Sequence, residues 1–149
     1  MATRSTIAVQ HQDGTVSQIY AHWDGYLEHN GRLLETHYTT LELVEELVSL
    51  GDISSLRERI EPLGTAHTFD TPENDVTIYY GRDRGEKDVS PQKFANLSDY
   101  MENGGGQEYD YIFLNGEWFV SCWATNDTDT GYVTLAKAAE LERNPEEEE

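Results

Sequence analysis

The sequence predicts an α+β fold: one domain whose mainly antiparallel sheet is built from β-hairpins, with two or three helices packed on one face. Three observations carry that prediction. Asp13-Gly14 and Asn115-Gly116 each sit between runs of β-forming residues, and Asx-Gly in such a setting is a strong hairpin signal because both residues accept positive φ. Between them in the chain, Leu43, Val44, Leu47, Val48 and Leu50 make a single helical stripe. No repeat or linker divides the 149 residues, so one domain over 1–145 is expected, with 146–149 as a solvated acidic tail.

Each element has its own signal. The first hairpin joins residues 6–11 to 15–23, with Ile19 and Ala21 on one face and Tyr20 and His22 on the other. Asp24-Gly25 and Asn30-Gly31 read as turns, and "GRLLETHY" fits a short strand or a turn of helix. In "TTLELVEELVSLGD", Thr39 or Thr40 can cap, early glutamates suit the helix dipole, and Gly51 ends the helix. "SSLRERIEP" predicts a second short helical turn, and residues 65–70 and 76–82 predict strands around the turn "DTPEND". "SPQKFANLSDYMENGGG" predicts a helix capped by Ser90, with Pro91 at its first position and a triple glycine at its end. Residues 109–114 and 117–123 form the second hairpin, and "YVTLAKAAELER" begins as a strand or enters a helix directly at Thr134.

The charge sets the function classes. There are 29 Asp and Glu against 10 Lys and Arg, a formal net of −19. The four terminal glutamates account for only four of those charges. Nucleic-acid binding through a broad surface is excluded by repulsion from the phosphates, and anionic membranes are disfavoured for the same reason. A partner with a basic groove would be attracted at long range. No apolar run approaches the ~20 residues of a membrane helix, and "MATRSTIAVQ" has no signal-peptide core. The expectation is a soluble, unexported protein of a reducing cytoplasm. The single Cys122 forbids an internal disulfide and a multi-cysteine zinc site.

His11, His22, His29, His37 and His67 show no metal-ligand spacing. "NDTDTG" resembles the start of a calcium loop, but its glycine is misplaced and Ala138 stands where a bidentate Glu is required. "NGGGQ" lacks the lysine and the strand-to-helix context of a phosphate loop. Cys122, inside "WFVSCW", reads as a buried thiol. No cofactor and no metal is expected. "GRDRGEKD" is a self-paired charged loop, with Arg82 and Arg84 as the local place for an anion. A cluster of His22, Asp24, Tyr26 and His29 leaves open a small-molecule or nucleotide-signal site. The acids themselves have two readings, solubility or imitation of a line of phosphates.

The run "STIAVQHQDGTVSQIYAHWDGYLEHNGRLLETHY", followed by "YGRDRGE" and "NGEWF", resembles a small family of acidic proteins encoded by bacteriophages and prophages. The resemblance touches most of the chain and implies no particular reaction. Small acidic phage proteins include many inhibitors of host defence, among them anti-CRISPR and anti-restriction proteins. By that analogy the expectation is a non-enzymatic inhibitor covering a basic nucleic-acid-binding surface of a CRISPR effector or restriction component. Contact acids would be Glu42, Glu45, Glu46, Asp83, Glu86, Asp88, Asp127 and Asp129, with Trp23 and Tyr26 as aromatic anchors. A phage structural or housekeeping role is the remaining alternative.

Overall fold

A computed structural model describes residues 3–143. The residues expected to form the acidic tail lie outside the described ones. Two hairpins make the frame, as their Asx-Gly pairs require. Strands β1 (Ser5–Gln10) and β2 (Val16–Ala21) pair antiparallel with Ile7 opposite Ile19. Strands β6 (Tyr109–Leu114) and β7 (Glu117–Ser121) pair antiparallel around Asn115 and Gly116, both at positive φ. The hairpins join where β1 runs parallel to β6, with Ile7 opposite Tyr111.

Between the hairpins the chain forms a π turn (Leu27–Gly31), α1 (Arg32–His37), α2 (Leu41–Ser49), β3 (Ile53–Ser55), β4 (Ile78–Tyr79), α3 (Tyr80–Arg84), β5 (Gln92–Phe94) and α4 (Leu97–Asn103). After β7 come a 3₁₀ turn (Trp123–Thr125), β8 (Val133–Thr134) and α5 (Leu135–Arg143). The sheet order is β4-β3-β2-β1-β6-β7-β8, with β5 also against β2. Five strand pairings are antiparallel and two are parallel. The α+β class and the mainly antiparallel sheet are therefore as expected.

Alternation along the strands divides the core in two. Ile7, Val9, Ile19, Tyr111, Phe113 and Val120 face α1, α2 and α5, which contribute Leu34, Val44, Leu47, Leu135 and Ala138. Each buried Val, Leu or Ile among them contributes about 1.5–3 kcal/mol. Ala8, Val16 and Ile112 face the other way and are covered by Phe94 and Tyr100. A fourth helix, α4, thus covers the second face, beyond the one-sided packing expected. Tyr38 locks the larger core. Its hydroxyl donates to the Arg57 carbonyl at 2.7 Å, and its own carbonyl accepts from the Trp118 indole at 2.9 Å.

Several local expectations fail, and in each case a polar side chain takes over the backbone. "SSLRERIEP" is not helical: Gly51 reverses the chain at φ 92, Asp52 Oδ1 accepts the Tyr20 N–H at 2.9 Å, and β3 is laid alongside β2. Residues 65–70 form no strand, because Glu73 accepts the N–H groups of Leu63 and Gly64 while His67 Nδ1 accepts that of Glu73. The strand expected over 76–82 is cut to two residues by Asp83, whose Oδ2 accepts the Tyr79 N–H at 2.8 Å and starts α3. Ser90 and Pro91 do not open a helix. Residues 92–94 pair with the β2 edge, and Asn96 caps α4 by accepting the Asp99 N–H at 2.8 Å.

The crowded stretch after β2 is a corner. Ile19 and Ala21 point into the core while the Tyr20 hydroxyl meets His22 Nδ1 at 2.7 Å. Asp24 turns the chain at φ 57, as expected of Asp-Gly. Asn30-Gly31, in contrast, makes no Asx-Gly reversal: neither residue has positive φ, and both are buried in the π turn, where Asn30 Nδ2 donates to Ser5 Oγ at 3.3 Å. Gly25 makes the corner possible. A Cβ there would lie 2.7 Å from that of Ser5 and 2.9 Å from the Thr3 carbonyl oxygen. Gly25→Ala is therefore expected to cost about 1–3 kcal/mol of stability by overpacking, read as a lowered urea midpoint with unchanged m-value.

Candidate functional site

The acidic face is built on α2. Thr40 caps the helix by accepting the Leu43 N–H at 3.2 Å, and the buried Val44, Leu47 and Val48 fix its rotation. Glu42 and Glu46 consequently lie one turn apart on the outer side, both exposed. Glu45 does not join them. It leans toward the first hairpin, where its Oε2 lies 2.5 Å from His11 Nδ1, and the other ring nitrogen meets Ser17 Oγ at 2.8 Å.

The acids around α3 also divide. Asp83 is withdrawn from solvent, with 4% of its side chain exposed, and is held by Arg82 Nε at 2.8 Å, His67 Nε2 at 3.1 Å and the Tyr79 N–H. Burial raises the Asp83 carboxyl pKa, but these donors outweigh it and the net shift is downward. It is an architectural anion and offers nothing to a partner. Glu86 is bound by Arg84 at 2.5 Å, while Asp88 is exposed at positive φ. Arg82 is spent on Asp83 and the carbonyls of Ile60 and Thr77, and Arg84 lies over Phe69 and Tyr80. The two arginines thus form no open anion pocket. Asp127 and Asp129 are exposed between β7 and β8, toward the opposite sheet edge from α3.

Three aromatics stand out from the surface at the corner side: Trp23, Tyr26 and Trp123, with 42%, 36% and 55% exposure. Trp123 was not among the expected contacts because its segment reads as strand, yet β7 stops at Ser121 and the 3₁₀ turn carries the indole outward. Trp123 and Tyr26 share a cavity of about 670 Å³ with Tyr109, Asp110 and Cys122. A second groove of about 710 Å³ runs from Trp123 between the π turn with α1 and α5, lined by Leu27, Leu135 and Ala139 with Arg32 and Glu142.

The cluster of His22, Asp24, Tyr26 and His29 does not converge on one point. His22 bonds to Tyr20 and packs edge-on against Trp23, whereas His29 Nδ1 lies 2.9 Å from Asn30 Oδ1. The neighbouring Asp24 carboxylate raises the Tyr26 phenol pKa. Cys122 is buried, its thiol pushed up first by that burial, and its Sγ lies 3.8 Å from Glu142 Oε2. Such a thiol is a poor nucleophile. Among the described residues no group of three or more His, Cys, Asp and Glu side chains is placed to hold a metal ion. No described helix is long and apolar enough to cross a membrane.

No family model, curated protein or solved structure matches the chain. The site's reading rests on its chemistry: exposed carboxylates accept charge-assisted hydrogen bonds from Arg and Lys, and the projecting rings supply apolar contact area.

Asp83 yields a pH prediction. Its pKa is lower in the folded than in the unfolded chain, so its contribution is complete above the ordinary aspartate value of about 4 and is lost as pH falls through the folded value. Asp83→Asn should destabilise the protein by about 3 kcal/mol at pH 7, as for a buried pair that loses one partner. In urea titrations the gap from the unaltered protein should narrow below about pH 4.

Proposed function

We propose that the protein is a phage-encoded inhibitor of a host defence component, acting in the host cytoplasm by covering a basic surface that otherwise holds nucleic acid. The reading is carried by how the charges are spent. Arg59, Arg82, Arg84 and Lys137 are each paired with a carboxylate of the same chain. Glu42, Glu46, Asp88, Asp127 and Asp129 are exposed with no ion-pair partner among the described residues. With 29 acids against 10 bases, the outward potential stays strongly negative. Salt reduces that attraction, since the screening length is about 10 Å at 0.1 M.

The contact set differs from the one expected at first. Glu42 and Glu46 present the line of charge, Trp23, Tyr26 and Trp123 supply anchors, Asp83 serves the fold, and Glu45 is taken up by His11. A CRISPR effector or a restriction component has the required cationic groove.

Capture from lysates of a bacterium carrying both systems tests the reading. Immobilised protein should retain a nucleic-acid-binding defence component at low salt, release it at high salt, and lose it to competing duplex DNA. Replacing Glu42 and Glu46 together by Gln should weaken that binding roughly five- to thirtyfold, two rim contacts of about 0.5–1 kcal/mol each. Retention that is indifferent to salt and to this double substitution would refute the proposal.

A further inference from the structure

We propose that Ser17, His11 and Glu45 form a hydrolytic triad that cleaves small uncharged acyl esters, an activity separate from the docking of the acidic surface. Ser17 Oγ lies 2.8 Å from His11 Nε2, and His11 Nδ1 lies 2.5 Å from Glu45 Oε2. An ionised carboxylate only accepts, so the imidazole proton sits on Nδ1. Nε2 is then the acceptor for the Ser17 hydroxyl proton, the arrangement a general base requires, with a third group orienting the base.

The three side chains come from rigid and separate elements. Ser17 is held in β2 between Val9 of β1 and Lys93 of β5. His11 closes β1, and its backbone is fixed by two bonds across the turn, His11 N–H to the Thr15 carbonyl at 2.8 Å and Gly14 N–H to the His11 carbonyl at 3.0 Å. Glu45 projects from the middle of α2. A cavity of about 610 Å³ opens over them, bordered also by Gln12, Asp13, Thr15 and Lys93, while the Val16 and Phe94 side chains at its rim are buried on the opposite face of the sheet. It is large enough for a short acyl chain. Lys93 stands opposite Ser17 in the β2–β5 ladder, which puts its ammonium on the hydroxyl's side of the sheet, available to a developing oxyanion. Asp13, Glu45 and the overall negative charge select against anionic substrates.

The steps balance without a further reagent. Ser17 Oγ attacks the ester carbonyl carbon as its proton passes to His11 Nε2. The tetrahedral adduct expels the alkoxide, which takes that proton and leaves as the alcohol, with the acyl group on Ser17. Water then attacks the acyl-enzyme, gives a proton to Nε2 and releases the carboxylic acid as Ser17 recovers its own. Ser17 and His11 are the catalytic residues, and Glu45 is a positioning residue acting through His11.

The test uses the full chain with p-nitrophenyl acetate and a fluorophosphonate probe. The unaltered protein should hydrolyse the ester and carry one probe adduct at Ser17 by peptide mass spectrometry. Ser17→Ala should abolish both, and His11→Ala should lower hydrolysis by about a hundredfold or more, the usual contribution of a general base. Glu45→Gln should reduce kcat with KM little changed, an effect a merely structural contact would not give. Ser17→Ala removes only a hydroxyl, and circular dichroism checks that it stays folded. No adduct on Ser17 of the folded unaltered protein, or hydrolysis equal to that of Ser17→Ala, would reduce the triad to a clamp between hairpin and helix. Partner capture by the Ser17→Ala protein should be unchanged, which keeps this result distinct from that of the docking proposal.

Discussion

The parallel pairing of β1 with β6 is the constraint on which the rest of the molecule depends. It joins two hairpins that are each specified locally but lie about a hundred residues apart in the chain. One buried side-chain contact marks the seam: Thr6 Oγ1 donates to Asp110 Oδ1 at 2.8 Å. Asp110 also accepts the N–H groups of Gly106 and Gln107, which turns the chain out of the glycine run into β6. Burial raises the Asp110 carboxyl pKa, while its three donors pull the other way. With the seam formed, α1, α2 and α5 share one apolar floor; without it, each hairpin would keep an unpaired strand edge and the helices would have no common face to cover.

The acidity of this chain is of two kinds. Asp52, Glu73, Asp83, Asp99 and Asp110 each accept backbone N–H groups and set where strands stop or helices begin. Glu42, Glu46, Asp127 and Asp129 face solvent. A net charge read from composition adds the two together. The first kind adds to the long-range field but has its oxygens occupied, so only the second kind can accept hydrogen bonds from a partner's Arg and Lys.

That division also explains what the sequence could and could not convey. The two hairpins and α2 were legible because their determinants are local: Asx-Gly pairs, Thr40 as cap, an apolar stripe of one period. The start of α4 was misplaced because Ser90-Pro91 carries the commoner signal, whereas Asn96 won through its bond to Asp99 and the pairing of residues 92–94 with β2. The short helical turn assigned to "SSLRERIEP" gave way to Asp52, whose partner Tyr20 is distant in the chain, and the strand assigned to 65–70 gave way to a loop closed by Glu73 and His67, whose bonds no turn signal announces. The corner at Asp24 was legible, and the burial of Asn30 was not. Ser17, His11 and Glu45 share no spacing that would announce them. They meet only because the hairpin folds back and α2 packs across it, and Glu45 looked from the sequence like one more surface acid.

The sheet ends on both sides in strands of two residues, Ile78–Tyr79 and Val133–Thr134, and each runs directly into a helix. An edge so short leaves few free N–H and C=O groups in line, and the helix that follows turns the backbone away. A stray extended segment from an unfolding neighbour finds almost nothing there to zip onto. Crowding many copies together would therefore not seed fibres from these edges, and the common negative charge would hold the copies apart.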